Sequence, residues 1–257
     1  MLPFRIERPT PLIPGTLLRR YKRFLADVRL EPDGVTVTAH CVNTGAMEGL
    51  TRPGTRVWLS HADSPHRHLK FTWETAEIQG QMVGVNTSLP NRVVGLLLRE
   101  HALPWLAVWD AVAAERRLGR HSRVDFHLTS RRGRQHFLEV KNCHLVYPDG
   151  RAYFPDCVSE RAAQHLRELA EVVRGGCSAE VLFVVQVPET RAVRPSDVHD
   201  PVFAATAREA RAAGVRFSAV VLSQTPDAII VERRIPVELR PYATGRVIKW
   251  RNASREE

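Results

Sequence analysis

"SRVDFHLTSRRGRQHFLEVKN" occupies residues 122–142, and its reading decides the fold of the C-terminal half. Two apolar-alternating runs, 122–130 and 134–146, flank Arg-Arg-Gly at 131–133, a hairpin signal. Side chains alternate between faces along a strand. Val124, Phe126 and Leu128 therefore fall on one face of the first run, with Asp125 on the other. Leu138 and Val140 share one face of the second run, with Glu139 and Lys141 opposite. Sheet register packs the apolar sets on one side, which gathers Asp125, Glu139 and Lys141 on the other. The two carboxylates suit a hard divalent cation, Mg²⁺ or Mn²⁺. Such a cation lowers the pKa of a bound water and stabilises charge on a phosphate in transit. Lys141 can orient or deprotonate that water, or neutralise the developing oxyanion. The competing reading is an internal salt bridge on a half-exposed sheet face.

Downstream, residues 156–176 form an amphipathic helix with Ala162, Leu166, Leu169 and Val173 as its apolar stripe and Gly175-Gly176 as its stop. Asp156 is expected to cap it, the alternative being that it approaches the Asp125, Glu139 and Lys141 cluster. The apolar run at 179–187 reads as a strand covered on both faces. A helix over 200–214, with Asp200 as N-cap and Pro201 at its first turn, leads to a strand over 215–222. Short strand–helix–strand connections imply a parallel pair. Upstream, residues 91–119 have helical spacing broken at Pro104, so a second helix carrying Leu106, Trp109, Val112 and Ala113 is predicted after it.

The first third is richer in short strands, at 34–41, 54–60, 69–78 and 81–89, with a tight hairpin at Gly80. Residues 17–30 fit a helix or a strand, Phe24 being read as core. About five strands in some 90 residues fit a five-stranded OB-type barrel. The expected fold is α/β (α+β overall). It comprises an OB-like barrel over 1–90, a mixed α/β domain over 91–240 and a basic, extended or partly disordered tail over 241–257.

The chain has 257 residues, 44% of them hydrophobic, a net charge of +9 and four cysteines without C-x-x-C spacing. A zinc site and a disulfide framework are not expected. No apolar run approaches the ~18 residues of a membrane span, and no signal-peptide core is present. The expectation is a cytoplasmic protein without membrane contact. Its basic surface suits a polyanion, though charge alone fits an arginine-rich soluble protein equally well. Arg19, Arg20, Lys22 and Arg23 interleave with Tyr21 and Phe24, a pattern that tracks a nucleic-acid backbone and stacks its bases. Arg92, Arg161 and His165 are further candidate phosphate contacts. Asn43, Thr44, Asn86 and Asn91 fit either ligand contacts or turns.

Asp125, then the hairpin, then Glu139-x-Lys141 resembles the core motif of the PD-(D/E)xK nucleases. That resemblance implies a nuclease-like C-terminal domain and a further acid on the preceding helix, where Glu115 stands. Val124 replaces the motif's proline. Six blocks in order extend the likeness: 19–28, 40–50, 84–92, 122–126, 137–142 and 153–169. Together they are similar to the SfsA family, the sugar fermentation stimulation proteins. The family implies an OB-like domain, a nuclease-type domain, DNA binding and, for some relatives, a regulatory role in maltose metabolism. The expectation is a Mg²⁺- or Mn²⁺-dependent nuclease acting on DNA, with RNA as the alternative substrate. Asp125, Glu139, Lys141 and Glu115 are its catalytic set, the first two being the metal ligands. The competing expectation is a non-catalytic DNA-binding regulator. A homodimer is left open.

Overall fold

The computed structural model describes residues 2–64, 66–118 and 122–256, with side chains to residue 253. Among these residues the strands and helices follow in order: β1 (Phe4–Glu7), β2 (Ile13–Tyr21), β3 (Leu25–Leu30), β4 (Thr36–His40), β5 (Arg56–His61), β6 (Phe71–Ile78), β7 (Gln81–Gly84) and α1 (Leu89–Arg99). Then come β8 (Ala111–Leu118), β9 (Ser122–Thr129), β10 (Gln135–Cys143), β11 (Arg151–Phe154), α2 (Glu160–Arg174) and β12 (Ser178–Val185). The chain continues through β13 (Ala192–Pro195), α3 (Pro201–Ala212), β14 (Arg216–Gln224), β15 (Ala228–Ile235) and α4 (Gly245–Glu256).

Residues 17–30 resolve into strands. Leu17, Ala26 and Val28 are buried, and a three-residue loop, Lys22 to Phe24, joins β2 to β3. The strands β2, β3, β4, β5 and β6 form a closed barrel, because β4 also pairs in parallel with β6 through Ala39–Phe71 and His40–Thr72. Leu17, Val28, Val57, Leu59 and Trp73 fill it. β7 extends β6 through a turn in which Gln79 and Gly80 both have positive φ, as a tight hairpin demands. This is the expected five-stranded OB-like barrel. β1 departs from it, pairing antiparallel with β15 in the second sheet. The segment ahead of the barrel thus strengthens the other domain.

That second sheet has seven strands in the order β1-β15-β14-β12-β10-β9-β8. β10, β12 and β14 are parallel, as the intervening helices require. α1 covers one face through Val93, Val94 and Leu97, packed on Leu138, Val140 and Leu182. α2 and α3 cover the other through Leu166, Leu169, Phe203 and Ala207, packed on Val181, Phe183 and Val221. Leu138 and Val140 lie on the α1 side as expected. Val124 does not share their face: it packs on the α2 side, while Phe126 and Leu128 pack with α1, so the alternation breaks at Asp125.

The helix expected after Pro104 is absent. Leu106 and Trp109 pack on the α1 face from a turn, and Val112 and Ala113 belong to β8, paired with β9. Sheet pairing overrides the helix propensity of an alanine-rich segment. Gly119, the expected end of that helix, lies outside the described residues. β8 is an edge strand, and its exposed Glu115, Arg116 and Arg117 protect that edge from pairing with another chain. The tail expected over 241–257 is also different: α4 runs through it, anchored by Val247 beside Leu145, Tyr147 and Tyr153. Glu257 lies outside the described residues. Ser159, not Asp156, caps α2, its side chain accepting from the Ala162 N–H. Asp200 caps α3 as expected. No described helix is long and apolar enough to cross a membrane.

Gly84 sits where barrel and sheet meet. A Cβ there would lie 1.9 Å from Gln186 Oε1 and 2.3 Å from Gln224 Nε2. Both amides are buried and hydrogen-bonded, so neither can yield freely. Gly84→Ala is expected to cost about 1–3 kcal/mol in denaturant unfolding. Gly245→Ala, with open space around it, should stay within about 0.5 kcal/mol. Equal effects would contradict this close approach.

Candidate active site

Glu139 is the best-buried carboxylate of the predicted set, at 3% exposure. It faces α2 because its register partner Val181 belongs to the core on that side. Lys141, two residues on, donates to Glu139 Oε1 at 2.5 Å. His165, one turn into α2, places Nδ1 2.6 Å from the same oxygen. Burial pushes the Glu139 carboxyl up, but the His165 hydrogen bond and the Lys141 charge outweigh it and hold the group below its usual range. The second oxygen, Oε2, is buried with no hydrogen-bond partner. A carboxylate oxygen left bare inside a protein is costly unless something electropositive meets it.

Asp125 stands where the sheet opens. The β9–β10 pairing ends at Phe126–Leu138. Beyond it, Asp125 Oδ2 accepts the Val140 N–H at 2.7 Å, and Oδ1 accepts from Asn91 Nδ2 of α1 at 2.7 Å. Burial pushes the Asp125 carboxyl up to about 6, and the nearby Glu139 charge adds to this. The Val140 N–H, Lys141 and Asn91 oppose the rise. Two neighbouring carboxyls are thus driven apart, one held below its usual range and the other raised to about 6. Among the described residues no group of three or more His, Cys, Asp or Glu side chains forms a ready metal cage. Two carboxylates with one bare oxygen do fit Mg²⁺ or Mn²⁺, which keeps several waters and takes few protein ligands.

The chain's family follows from its two domains. Residues 88–228 match the model of the sugar fermentation stimulation protein RE domain, and residues 18–85 match that of the SfsA N-terminal OB domain. The chain belongs to the SfsA family. A sugar fermentation stimulation protein homolog of Methylobacterium nodulans is 48% identical over 233 residues, covering 89% of this chain and 98% of its own. The homolog of Geobacter sulfurreducens is 47% identical over 229 residues, covering 89% and 97%. The solved structure of Pyrococcus furiosus SfsA in complex with Ca²⁺ superposes with a TM-score of 0.82 at 27% identity, over 91% of this chain and 98% of that one.

The remaining predicted residues divide sharply. Glu115 is not on a helix. It lies exposed on β8 at φ 51°, bracketed by the pairs Ala114–Phe126 and Arg116–Val124, and so level with Asp125. His165 is buried and holds Glu139 instead of facing a phosphate. Arg19 pairs with Asp27 at 2.8 Å and covers the Tyr21 ring. Arg20 is a latch: its guanidinium bonds the carbonyls of Arg23, Asn43 and Gly45. Lys22, Arg23, Arg92 and Arg161 remain exposed. Phe24, expected in the core, is exposed as well. Asn43 holds a turn to the Gly45 N–H, and Asn86 bonds the buried Glu74. Asn91 is the residue whose role the sequence left undefined, since its partner lies 34 positions away.

Behind the site runs a directional chain of side chains. Arg8 donates to Gln224 Oε1 at 2.6 Å, Gln224 to Gln186 Oε1 at 3.0 Å, and Gln186 to Asn142 Oδ1 at 2.6 Å. Asn142 Nδ2 then lies 3.4 Å from His144 Nδ1. A guanidinium only donates, so every amide downstream has its orientation fixed. His144 must accept at Nδ1 and carry its proton on Nε2, which faces Asp156 Oδ2 at 3.6 Å. Burial pulls His144 below its usual range, with Asp156 opposing. Asp156 thus meets His144 as a charge contact without a hydrogen bond, and it does not cap α2. Burial also pulls the Arg8 guanidinium below its usual range; Glu74 opposes this and the like charge of Arg92 adds to it. Arg92 thus sits at the domain junction, as expected.

The raised Asp125 pKa has a sign that can be checked. The folded state binds that proton more tightly than the unfolded chain. The resulting destabilisation is absent below about pH 4 and complete above about pH 6. Asp125→Asn keeps an acceptor for the Val140 N–H and removes the charge. It should raise metal-free stability by roughly 1–3 kcal/mol at pH 8, with the gain shrinking towards pH 4. Chemical denaturation at the two pH values measures this, and a loss of stability at pH 8 would contradict it.

Proposed function

We propose that this protein is a divalent-cation-dependent nuclease that hydrolyses phosphodiester bonds, with DNA as its expected substrate. The observation that carries this reading is Glu139, buried, ionised and offering an unpartnered oxygen beside the electrostatically strained Asp125. Glu139 and Asp125 would hold Mg²⁺ or Mn²⁺. The Pyrococcus furiosus relative, solved with Ca²⁺, supports a hard cation in this family. When bound, the cation supplies positive charge and Lewis acidity at the phosphate.

The chain's own residues do the rest. His165 fixes Glu139 from α2 and Asn91 fixes Asp125 from α1, so each carboxylate is oriented by the opposite helix layer. Lys141 shares Glu139 Oε1 with His165 and presents its ammonium beside both carboxylates, where it orients an attacking water or offsets charge on the phosphate. Exposed Lys22, Arg23, Arg92 and Arg161 contact phosphates along the strand. The relatives' name, sugar fermentation stimulation, favours a second reading as a DNA-binding regulator. A pure binder, however, gains nothing from carboxylates that would repel a phosphate.

The test is cleavage of single- and double-stranded DNA and RNA with Mg²⁺, with Mn²⁺ and with EDTA. Cleavage should require the cation and fall at least ~100-fold in Glu139→Gln. His165→Ala should lower kcat more than it raises KM, with partial rescue by His165→Asn. Cleavage that survives EDTA or Glu139→Gln contradicts the assignment. Binding without cleavage under every condition favours the regulator.

A further inference from the structure

Phe24, between β2 and β3, has 45% of its surface exposed, and Val158, just ahead of α2, has 70%. The hairpin loop that carries Phe24 is anchored through its backbone. Lys22 and Arg23 hold left-handed backbone at φ 49° and 64°. Arg20 pins the Arg23 carbonyl, and the Phe24 carbonyl accepts the Cys41 N–H at 2.8 Å. The ring is thus held outside the barrel core by an anchored backbone.

The 156–158 loop adjoins this tip. A Cβ on Gly45, in the loop that Arg20 latches, would lie 3.1 Å from Asp156 Oδ2. Cys157 lies within electrostatic reach of Arg23. Two exposed apolar side chains, one from each domain, therefore share a rim with Lys22, Arg23 and, one turn down, Arg161. Among the described residues none of these three cations is in an ion pair. From Glu160 to His165, the helix descends about 8 Å towards Glu139.

We propose that Phe24 and Val158 form a base-stacking platform for single-stranded nucleic acid, with Lys22, Arg23 and Arg161 holding the flanking phosphates. This rests on the nuclease reading and names its substrate class. An apolar platform ringed by free cations matches an unstacked base with its phosphates. An intact duplex keeps its base faces covered, so only a single strand or a frayed end can use it. The strand would run from the platform down α2 to Glu139.

The experiment is fluorescence anisotropy in EDTA, with a labelled thymidine oligonucleotide of about 12 nucleotides and a duplex of the same length. Phe24→Ala should weaken single-strand binding about 5- to 100-fold with an unchanged salt slope and alter duplex binding less than about 2-fold. Phe24→Trp should restore it. Arg23→Ala should lower the salt slope by about one. Single-strand binding that Phe24→Ala leaves intact overturns the platform, as does an equal loss for the duplex. In either case the nuclease reading stands. Wild-type protein that binds neither form overturns the platform, while the nuclease reading is decided separately by cleavage with Mg²⁺.

Discussion

A single carboxylate joins three elements where the sheet parts. Asp125 takes the Val140 N–H once the β9–β10 ladder has stopped, and it accepts from Asn91 on α1. A side chain thus replaces a backbone partner, which satisfies the strand while leaving a gap between the strands. The same geometry fixes Asp125 close enough to Glu139 for the two charges to repel. A neutral acceptor would hold the strands equally well without that cost. Strain of this kind, placed at one end of the sheet beside a buried lysine–carboxylate pair, is the pattern expected of a site kept for chemistry.

The two helix layers act on this site from opposite faces. α2 delivers His165 to Glu139, and α1 delivers Asn91 to Asp125. The strand β10 is also tied to the barrel. Asn142, next to Lys141, is oriented by Gln186, which in turn contacts Gln224 and the Asn86 carbonyl. Gly84 allows this approach because it has no side chain. Barrel and sheet therefore meet through a buried polar chain whose direction Arg8 sets. Such an interface tolerates little sliding, since one displaced amide would leave several buried groups unpaired.

Much of this was legible in the sequence, and the failures have physical causes. The hairpin and its Glu139-x-Lys141 pattern follow from period-two alternation, and so do the barrel strands. α2 follows from its apolar stripe and glycine stop, and α3 from its aspartate cap and glycine stop. Asp125 was found as an acid, but its break in the alternation was invisible, because a splayed ladder leaves no trace in spacing. Ala111–Leu118 read as helix because its propensity is helical, and only pairing with β9 makes it a strand. α4 read as a tail because Val247 and Trp250 show no strong stripe until Tyr147 and Tyr153 supply their partners. His165 and Asn91 lay within view, yet each acts on a residue 26 or 34 positions away, which no local pattern encodes.

The most direct measurement is a carbon-13 NMR titration of the Asp125 and Glu139 carboxyl groups, without cation and with saturating Mg²⁺. Without cation, Asp125 should titrate at about 6 and Glu139 below the ordinary carboxylate range. Mg²⁺ should bring Asp125 back to the ordinary range or lower, because a bound cation favours the ionised form. Midpoints that Mg²⁺ leaves unmoved for both groups would contradict a cation held between these two carboxylates.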